Sequence, residues 1–322
     1  MTDRDEKIPC PRCGAAESTI MFEGKDYLYG VPGDYFVSTC RACGLMYQNP
    51  RPARERALEL YPQDYGPHTA AEPPPASTGR NKRYSVAKRV LDRIPAWKRW
   101  CDGVDLIPDF IPGGYLLEIG CASGARLLSL KNRGWQHLRG IELVPSAAER
   151  ARAAGFGVDC DPVEDALARF PEEFFDVVIA SMVLEHLFNP FHVVQEIAGK
   201  LKKGGQLLFS TVVCDSLDAR IYRGYFGGFD LPRHMVFFKK RDIFRMLERD
   251  FTGIECFHQN APIDFVRSST WRRGDQKGDL FDRLVLSVGD SRAGYFLGLP
   301  LAWLGLTCRV SFRCRKRREH EE

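Results

Sequence analysis

Four cysteines stand near the start of the chain in two matched pairs, Cys10-Pro-Arg-Cys13 and Cys40-Arg-Ala-Cys43, each followed by a glycine, Gly14 and Gly44. Two CxxC pairs supply four soft thiolates, and tetrahedral zinc is the ion that such a set suits. A small residue after each pair lets backbone amides approach the sulfurs. With all four positions filled by protein, the zinc is expected to be structural. The residues between the pairs, 20–30 and 34–40, are aromatic and strand-like. That suits a zinc ribbon, in which metal replaces a core too small to form alone. Two other uses stay open. One is thioredoxin-like redox chemistry, which would account for one pair but not two. The other is a ribbon that holds nucleic acid.

A second constellation lies at residues 116–130, LLEIGCASGARLLSL, where Gly120, Ser123 and Gly124 separate an apolar run from a helical stretch. A sharp turn after a strand brings backbone close to a ligand, and glycine allows that approach. Glu142, at the end of the next apolar run, can accept both ribose hydroxyls of an adenosine. A dinucleotide site also uses such an acid. The spacing here is E-x-G-x-x-x-G from Glu118 to Gly124, however, not the G-x-G-x-x-G that opens helix amides to a pyrophosphate. The turn suits a ligand without phosphates.

These residues need a frame, and the alternation of patterns supplies one. Apolar runs at 114–120, 137–142, 156–160, 174–180 and 206–211 are separated by helical stretches at 125–134, 144–155, 162–170 and 190–205. Such alternation predicts a parallel sheet covered on both faces, doubly wound by right-handed crossovers. Residues 253–260 and 306–315 read as a sixth strand and an antiparallel seventh.

The segment around Glu118 resembles motif I of class I S-adenosylmethionine-dependent methyltransferases, and the resemblance extends over roughly residues 110–260. The later segments agree with it: Glu142 after the second strand, Asp161 in VDCDPVED, the run Leu184, Glu185, His186 and Pro190 after the fourth, and EIAGKLKKGGQLLFST around the fifth. The fold implied is α/β, a Rossmann-like doubly wound seven-stranded methyltransferase sheet with a small N-terminal zinc ribbon. The cofactors implied are S-adenosyl-L-methionine and structural zinc at Cys10, Cys13, Cys40 and Cys43. The resemblance places Glu118, Gly120, Cys121, Ala122, Ser123, Gly124, Glu142 and Leu143 at the cofactor. It adds Asp161 on the adenine amino group, Cys160 and Pro162 beside the ring, and Ser181 and Met182 after strand four. Many relatives carry a further glycine where this chain has Ala122, which is tolerable if the backbone there keeps a negative φ.

Methyl transfer needs an acceptor aligned in line with a sulfonium methyl, and a base within hydrogen-bond reach if the acceptor must lose a proton. His234, in YRGYFGGFDLPRHMVFF, is the candidate base or acceptor ligand; capping of a helix start is its structural alternative. His186 is either a second base or a pocket wall. Tyr225 and Arg233 are candidates to position an anionic or polar acceptor. Gly224, Gly227 and Gly228 mark a bend or lid. The organisation expected is a zinc-ribbon module at 1–50, a linker with helices at 51–109 and the methyltransferase domain at 110–322, with an acceptor-binding insertion at about 212–238.

The function implied is methylation of a small-molecule acceptor at oxygen, nitrogen or carbon. A natural-product or sugar intermediate is favoured by a partial similarity to ribbon-bearing sugar C-methyltransferases. Alternatives are an RNA methyltransferase that uses the ribbon for its substrate, and a non-catalytic binding or scaffold protein. Across the 322 residues, 44% apolar and 27% charged composition is that of an ordinary globular protein, and a net charge of +4 exerts little pull on nucleic acid. No apolar core follows the charged start, and the eleven cysteines do not form a small secreted disulfide scaffold, so a reducing cytoplasmic location is expected. Residues 293–308 carry no charge but contain Pro300 and are short for a membrane span. They are expected as a helix packed on the sheet, with peripheral membrane contact through 293–322 as the alternative. A Pro-, Ala- and Ser-rich linker at 66–79 and a basic amphipathic helix at 80–100 complete the reading.

Overall fold

In a computed structural model of the chain, the described residues are 5–61, 94–289 and 291–318. The expected linker and the basic helix up to residue 93 lie outside them.

The amino-terminal part contains β1 (Asp5–Glu6), β2 (Ser18–Gly24), β3 (Tyr35–Cys40), β4 (Met46–Gln48) and β5 (Arg51–Pro52), then a 3-10 turn at Arg54–Leu60. After α1 (Pro95–Val104) the alternating unit begins. It runs β6 (Tyr115–Ile119), α2 (Ala125–Asn132), β7 (His137–Ile141), α3 (Pro145–Ala153), β8 (Gly157–Asp159), α4 (Val163–Leu167), β9 (Phe175–Ser181), α5 (Pro190–Lys200) and β10 (Leu201–Val212). Beyond it come α6 (Leu217–Tyr222), β11 (Val236–Phe237), α7 (Lys240–Leu247), β12 (Phe251–His258), α8 (Ile263–Gly274), α9 (Leu280–Val288), α10 (Arg292–Trp303) and β13 (Arg309–Lys316).

Seven strands form one sheet in the order β12-β13-β10-β9-β6-β7-β8. The pairs from β10 through β8 are parallel, whereas β13 runs antiparallel to both neighbours. The central strands are buried on both faces, as Leu116, Leu117, Val177, Val178, Leu207 and Leu208 show, and this explains their unbroken apolar runs. The chain leaves β6 for β7 on one side and later returns to β9 on the other. That reversal opens a crevice at the carboxyl ends of the strands, where ligands bind in such sheets. Helix α3 starts with Pro145 at its first turn and lays Ala147, Ala148 and Ala151 against the core.

Two expectations change. The helix from Pro190 stops at Lys200, and LKKGG opens β10 instead of closing α5. Gly204, at φ 75°, sits in the irregular stretch between the Leu201 and Gln206 pairings, so these glycines serve a bulge. Residues 292–303 are helical as expected, but α10 does not bury an apolar face in the sheet. Phe296, Leu297 and Trp303 are all more than 60% exposed.

The ribbon is not a separate body. Its antiparallel sheet, β2-β3-β4, takes β11 from the far side of the sequence as its fourth strand. Arg12 bonds the buried Asp242 at 2.9 Å, and the Gln48 amide donates to the Met235 carbonyl.

Candidate functional site

The two CxxC knuckles are built alike. Gly14 N–H donates to the Cys10 carbonyl and Gly44 N–H to that of Cys40, with both glycines at φ near 74° (74° and 73°). A Cβ would strain that backbone, which is why each pair is followed by glycine. The turns bring Cys10 Sγ to 3.6 Å from Cys43 Sγ, and Cys13 Sγ to 3.6 Å from Cys40 Sγ. All four sulfurs lie within 4.8 Å of one another. Sulfurs at about 2.3 Å from a tetrahedral zinc are about 3.8 Å apart. The cluster therefore fits a zinc ion, with no position left for a substrate.

A cavity of about 730 Å³ opens at the carboxyl ends of β6, β7, β8 and β9, within the range of small-molecule and cofactor sites, ~300–1,000 Å³. From the β6 turn, Gly120 and Ala122 line it. Gly120 has φ 69°, and a Cβ there would fall 2.6 Å from Val183 Cγ2, so glycine is required twice over. Ala122 also stands at positive φ, 47°. The condition under which an alanine would be tolerable, a negative φ, is not met, and the turn holds an alanine in a backbone that glycine would adopt without strain. That geometry aims the Ala122 amide at Glu142: its N–H donates to Oε2 at 2.8 Å, while Val144 N–H donates to Oε1 at 2.9 Å. Glu142 is thus buried, on the cavity wall, with each oxygen anchored by a backbone N–H.

Other residues expected at the cofactor divide into two groups. Leu143, Cys160, Asp161, Pro162, Ser181 and Met182 line the cavity, while Glu118, Cys121, Ser123 and Gly124 are not on its wall. Cys121 packs into the core beside Gly140, and Gly124 makes room for Ala151 and Phe156 as α2 begins. Glu118 lies beneath the turn, 3.1 Å from Arg126, with its Oε2 unpartnered. Burial pushes its carboxyl up to about 8 despite that pairing. Asp161 faces Arg169 at 2.5 Å. Met182 joins Ala122 at positive φ, 54°.

Two histidines from separate segments also line the cavity. His186 follows β9 in a 3-10 turn (Leu184–His186), and His234 precedes β11; their rings meet edge to face at 4.5 Å. His234 Nδ1 lies 2.8 Å from the Gly228 carbonyl. A carbonyl only accepts, so Nδ1 carries the proton and neutral His234 has its lone pair on Nε2. Asp230 Oδ2 is 3.9 Å from that Nε2 and would stabilise the imidazolium. His186 Nδ1 lies 3.2 Å from the Arg233 carbonyl and 3.1 Å from Tyr61 Oη. Burial, with neighbouring His234, pushes His186 down to about 3.

Two of the residues expected to position the acceptor do not reach it. Tyr225 is off the cavity wall, donating to Asp275 Oδ2 beside Tyr27. Arg233 is wholly buried. Its Nη2 lies 2.7 Å from both Asp26 Oδ1 and Asp230 Oδ1, and Nη1 is 2.9 Å from Asp26 Oδ2. Burial opposes its charge, but those two carboxylates outweigh burial and hold the guanidinium above its usual range. This ion triad is a clamp between ribbon and sheet. Beside it the ribbon's Leu28 and Tyr29, with Leu60 and Tyr61 from the turn that follows the ribbon, line the cavity. Nothing in those residue types signalled this, because the pairing of residue 26 with 233 is visible only in space.

A family model described as "Methyltransferase domain" matches residues 92–254, half of the chain. The chain belongs to the class I S-adenosylmethionine-dependent methyltransferases. Among curated relatives, the ubiquinone biosynthesis O-methyltransferase of Neisseria meningitidis serogroup C is 32% identical over 140 residues, covering 39% of this methyltransferase and 58% of that enzyme. The tRNA U34 carboxymethyltransferase of Colwellia psychrerythraea is 30% identical over 109 residues, 33% of this chain and 34% of its own. The match spans about half the length of the leading relatives, from 43% to 58%. A solved Haloferax volcanii complex of a methyltransferase activator with a methyltransferase superposes at a TM-score of 0.50 and 13% identity, covering 73% of this chain and 96% of that one. This likeness shows the fold alone. Among the described residues, no helix is long and apolar enough to cross a membrane.

Proposed function

We propose that this methyltransferase acts on a small-molecule acceptor held between the ribbon wall and the carboxyl edge of the sheet, with His234 as the base. The observation that carries the reading is one cavity lined by both the doubly anchored Glu142 and His234. Glu142 would hold the ribose, Gly120 and Ala122 would pass the cofactor close to backbone, and Leu143, Cys160 and Pro162 would flank the adenine. S-adenosylmethionine, when bound, supplies an electrophilic methyl on a sulfonium. His234 takes the acceptor's proton on Nε2, and Asp230 stabilises the cation that results. His186, held neutral, orients and seals the pocket; at about 3 its basicity is too low for a base working near neutrality. Calorimetry of S-adenosylmethionine binding tests the cofactor end. Glu142→Ala should weaken binding at least tenfold, and equal binding by both proteins would overturn the assignment.

A second reading concerns the source of the acceptor. Helix α8, which carries cavity residues, packs on α9, and α9 on α10. The outer face of that pair exposes Leu280, Leu284, Phe296, Leu297 and Trp303, with exposed Arg283 beside Leu284. The acid of α9, Asp282, is buried against Arg272. An apolar face with a cation and an aromatic rim suits the surface of an anionic membrane. Flotation with phosphatidylglycerol-containing vesicles should recover the protein and lose it after Leu297→Ser with Trp303→Ser; no flotation of the parent protein would end this reading.

A further inference from the structure

Three arginines line the cavity, and their partners differ. Arg54 lies 3.2 Å from Asp165 and 3.6 Å from Glu164. Arg309 grips Asp264 through two bonds of 2.7 and 2.8 Å. Arg267, half-buried on α8, has no carboxylate partner and no hydrogen bond from its guanidinium among the described residues. Its neighbours nonetheless fix its stem. A Cβ at Gly227 would sit 3.0 Å from Arg267 Cδ, so the side chain lies across that glycine. Gly227 N–H donates to Ser268 Oγ at 2.9 Å, pinning the glycine turn to α8. The next residue, Gly228, is the one whose carbonyl holds His234 Nδ1.

Of the acids on this side, Asp264 is held by Arg309, and Asp230 shares Arg233 with Asp26. Arg267 is the arginine of the cavity wall that no carboxylate among the described residues holds. A half-buried guanidinium without a counterion is costly unless a ligand supplies one, and its planar fork matches carboxylate and phosphate oxygens. Gly227 gives it that place by having no side chain to cover the turn.

Building on the methyl-transfer reading above, we propose that Arg267 binds an anionic group of the acceptor, a carboxylate or a phosphate, and so sets the reacting atom against His234. The role sought from sequence in Arg233 thus falls to a different arginine, one helix away.

The test uses full-length protein saturated with S-adenosylhomocysteine, with that binding measured first by calorimetry so that failure of the cofactor site is seen separately. Inorganic phosphate and acetate are then titrated at constant ionic strength, following amide and His ring NMR signals. At least one anion should bind and shift the signals of the Gly227–Gly228 turn. Arg267→Gln should weaken that anion at least tenfold, Arg267→Lys should weaken it less, and neither should change S-adenosylhomocysteine affinity more than twofold. Binding of phosphate alone points to a phosphorylated acceptor, and of acetate alone to a carboxylic acid. Absence of binding by either anion to loaded parent protein, or undiminished binding by Arg267→Gln, overturns the proposal.

Discussion

Replacing Arg233 by methionine isolates the clamp between ribbon and sheet. The guanidinium is fully buried, and so are the carboxylates of Asp26 and, within 8% exposure, Asp230. Removing it strands two carboxylates in low dielectric, for which about 3–5 kcal/mol of lost stability is expected. Asp26 keeps the amides of Leu28, Tyr29 and Val31 at 3.0–3.1 Å, which places the loss toward the lower end. The pH dependence gives a sharper signature. In the parent protein burial raises both carboxyls, but Arg233 bonding to Asp26, and the charges of His234 and Arg233 beside Asp230, outweigh it and hold both below their usual value. A carboxyl depressed in the folded state contributes stability that is present above its unfolded pKa, near 4, and is lost as pH falls through the folded value. Without Arg233 burial is less opposed, so the same carboxyls should rise above 4 and the variant should gain stability as pH falls from 7 toward 5. Urea unfolding at pH 5, 6 and 7 measures both effects. A loss below 1 kcal/mol, or a variant whose stability varies with pH as the parent's does, would refute the assignment of the clamp.

Further outcomes follow from the turn and the ribbon. Gly120→Ala adds about 1–2 kcal/mol of left-handed backbone strain and about 1–3 kcal/mol for crowding Val183; adding Val183→Ala should recover the crowding share alone, and urea unfolding with cofactor calorimetry would show it. Purified protein should carry one zinc per chain by elemental analysis. Chelation should expose four thiols to a thiol reagent and lower S-adenosylmethionine affinity at least tenfold, because Leu28 and Tyr29 of the ribbon line the cavity; unchanged affinity after metal loss would detach the ribbon from the site. Glu118→Gln should stabilise the protein as pH rises from about 4 through 8: a carboxyl raised to about 8 by burial contributes stability at low pH that is lost as it ionises.

The sequence by itself determined the local and periodic features. Alternating apolar runs fixed the parallel strands, because strands buried on both faces must be apolar at every position. Two CxxC pairs determined the four-thiol cluster that fits a zinc ion, since a closed four-thiolate set needs nothing else. Gly120 and Glu142 were legible because a backbone turn and a carboxylate leave short-range marks. The tertiary structure decided what depends on distant pairings. It sent Arg233 into a buried triad with Asp26 and Asp230, and removed Tyr225 to Asp275. It gave Ala122 a positive φ, because its amide must reach Glu142, twenty positions on. It brought the ribbon to the cavity by pairing β4 with β11, and among the described residues it left Arg267, on α8, as the cavity arginine without a carboxylate partner. Whether an arginine is neutralised or offered to a ligand depends on which carboxylates the fold brings within about 4 Å, and no spacing along the chain encodes that.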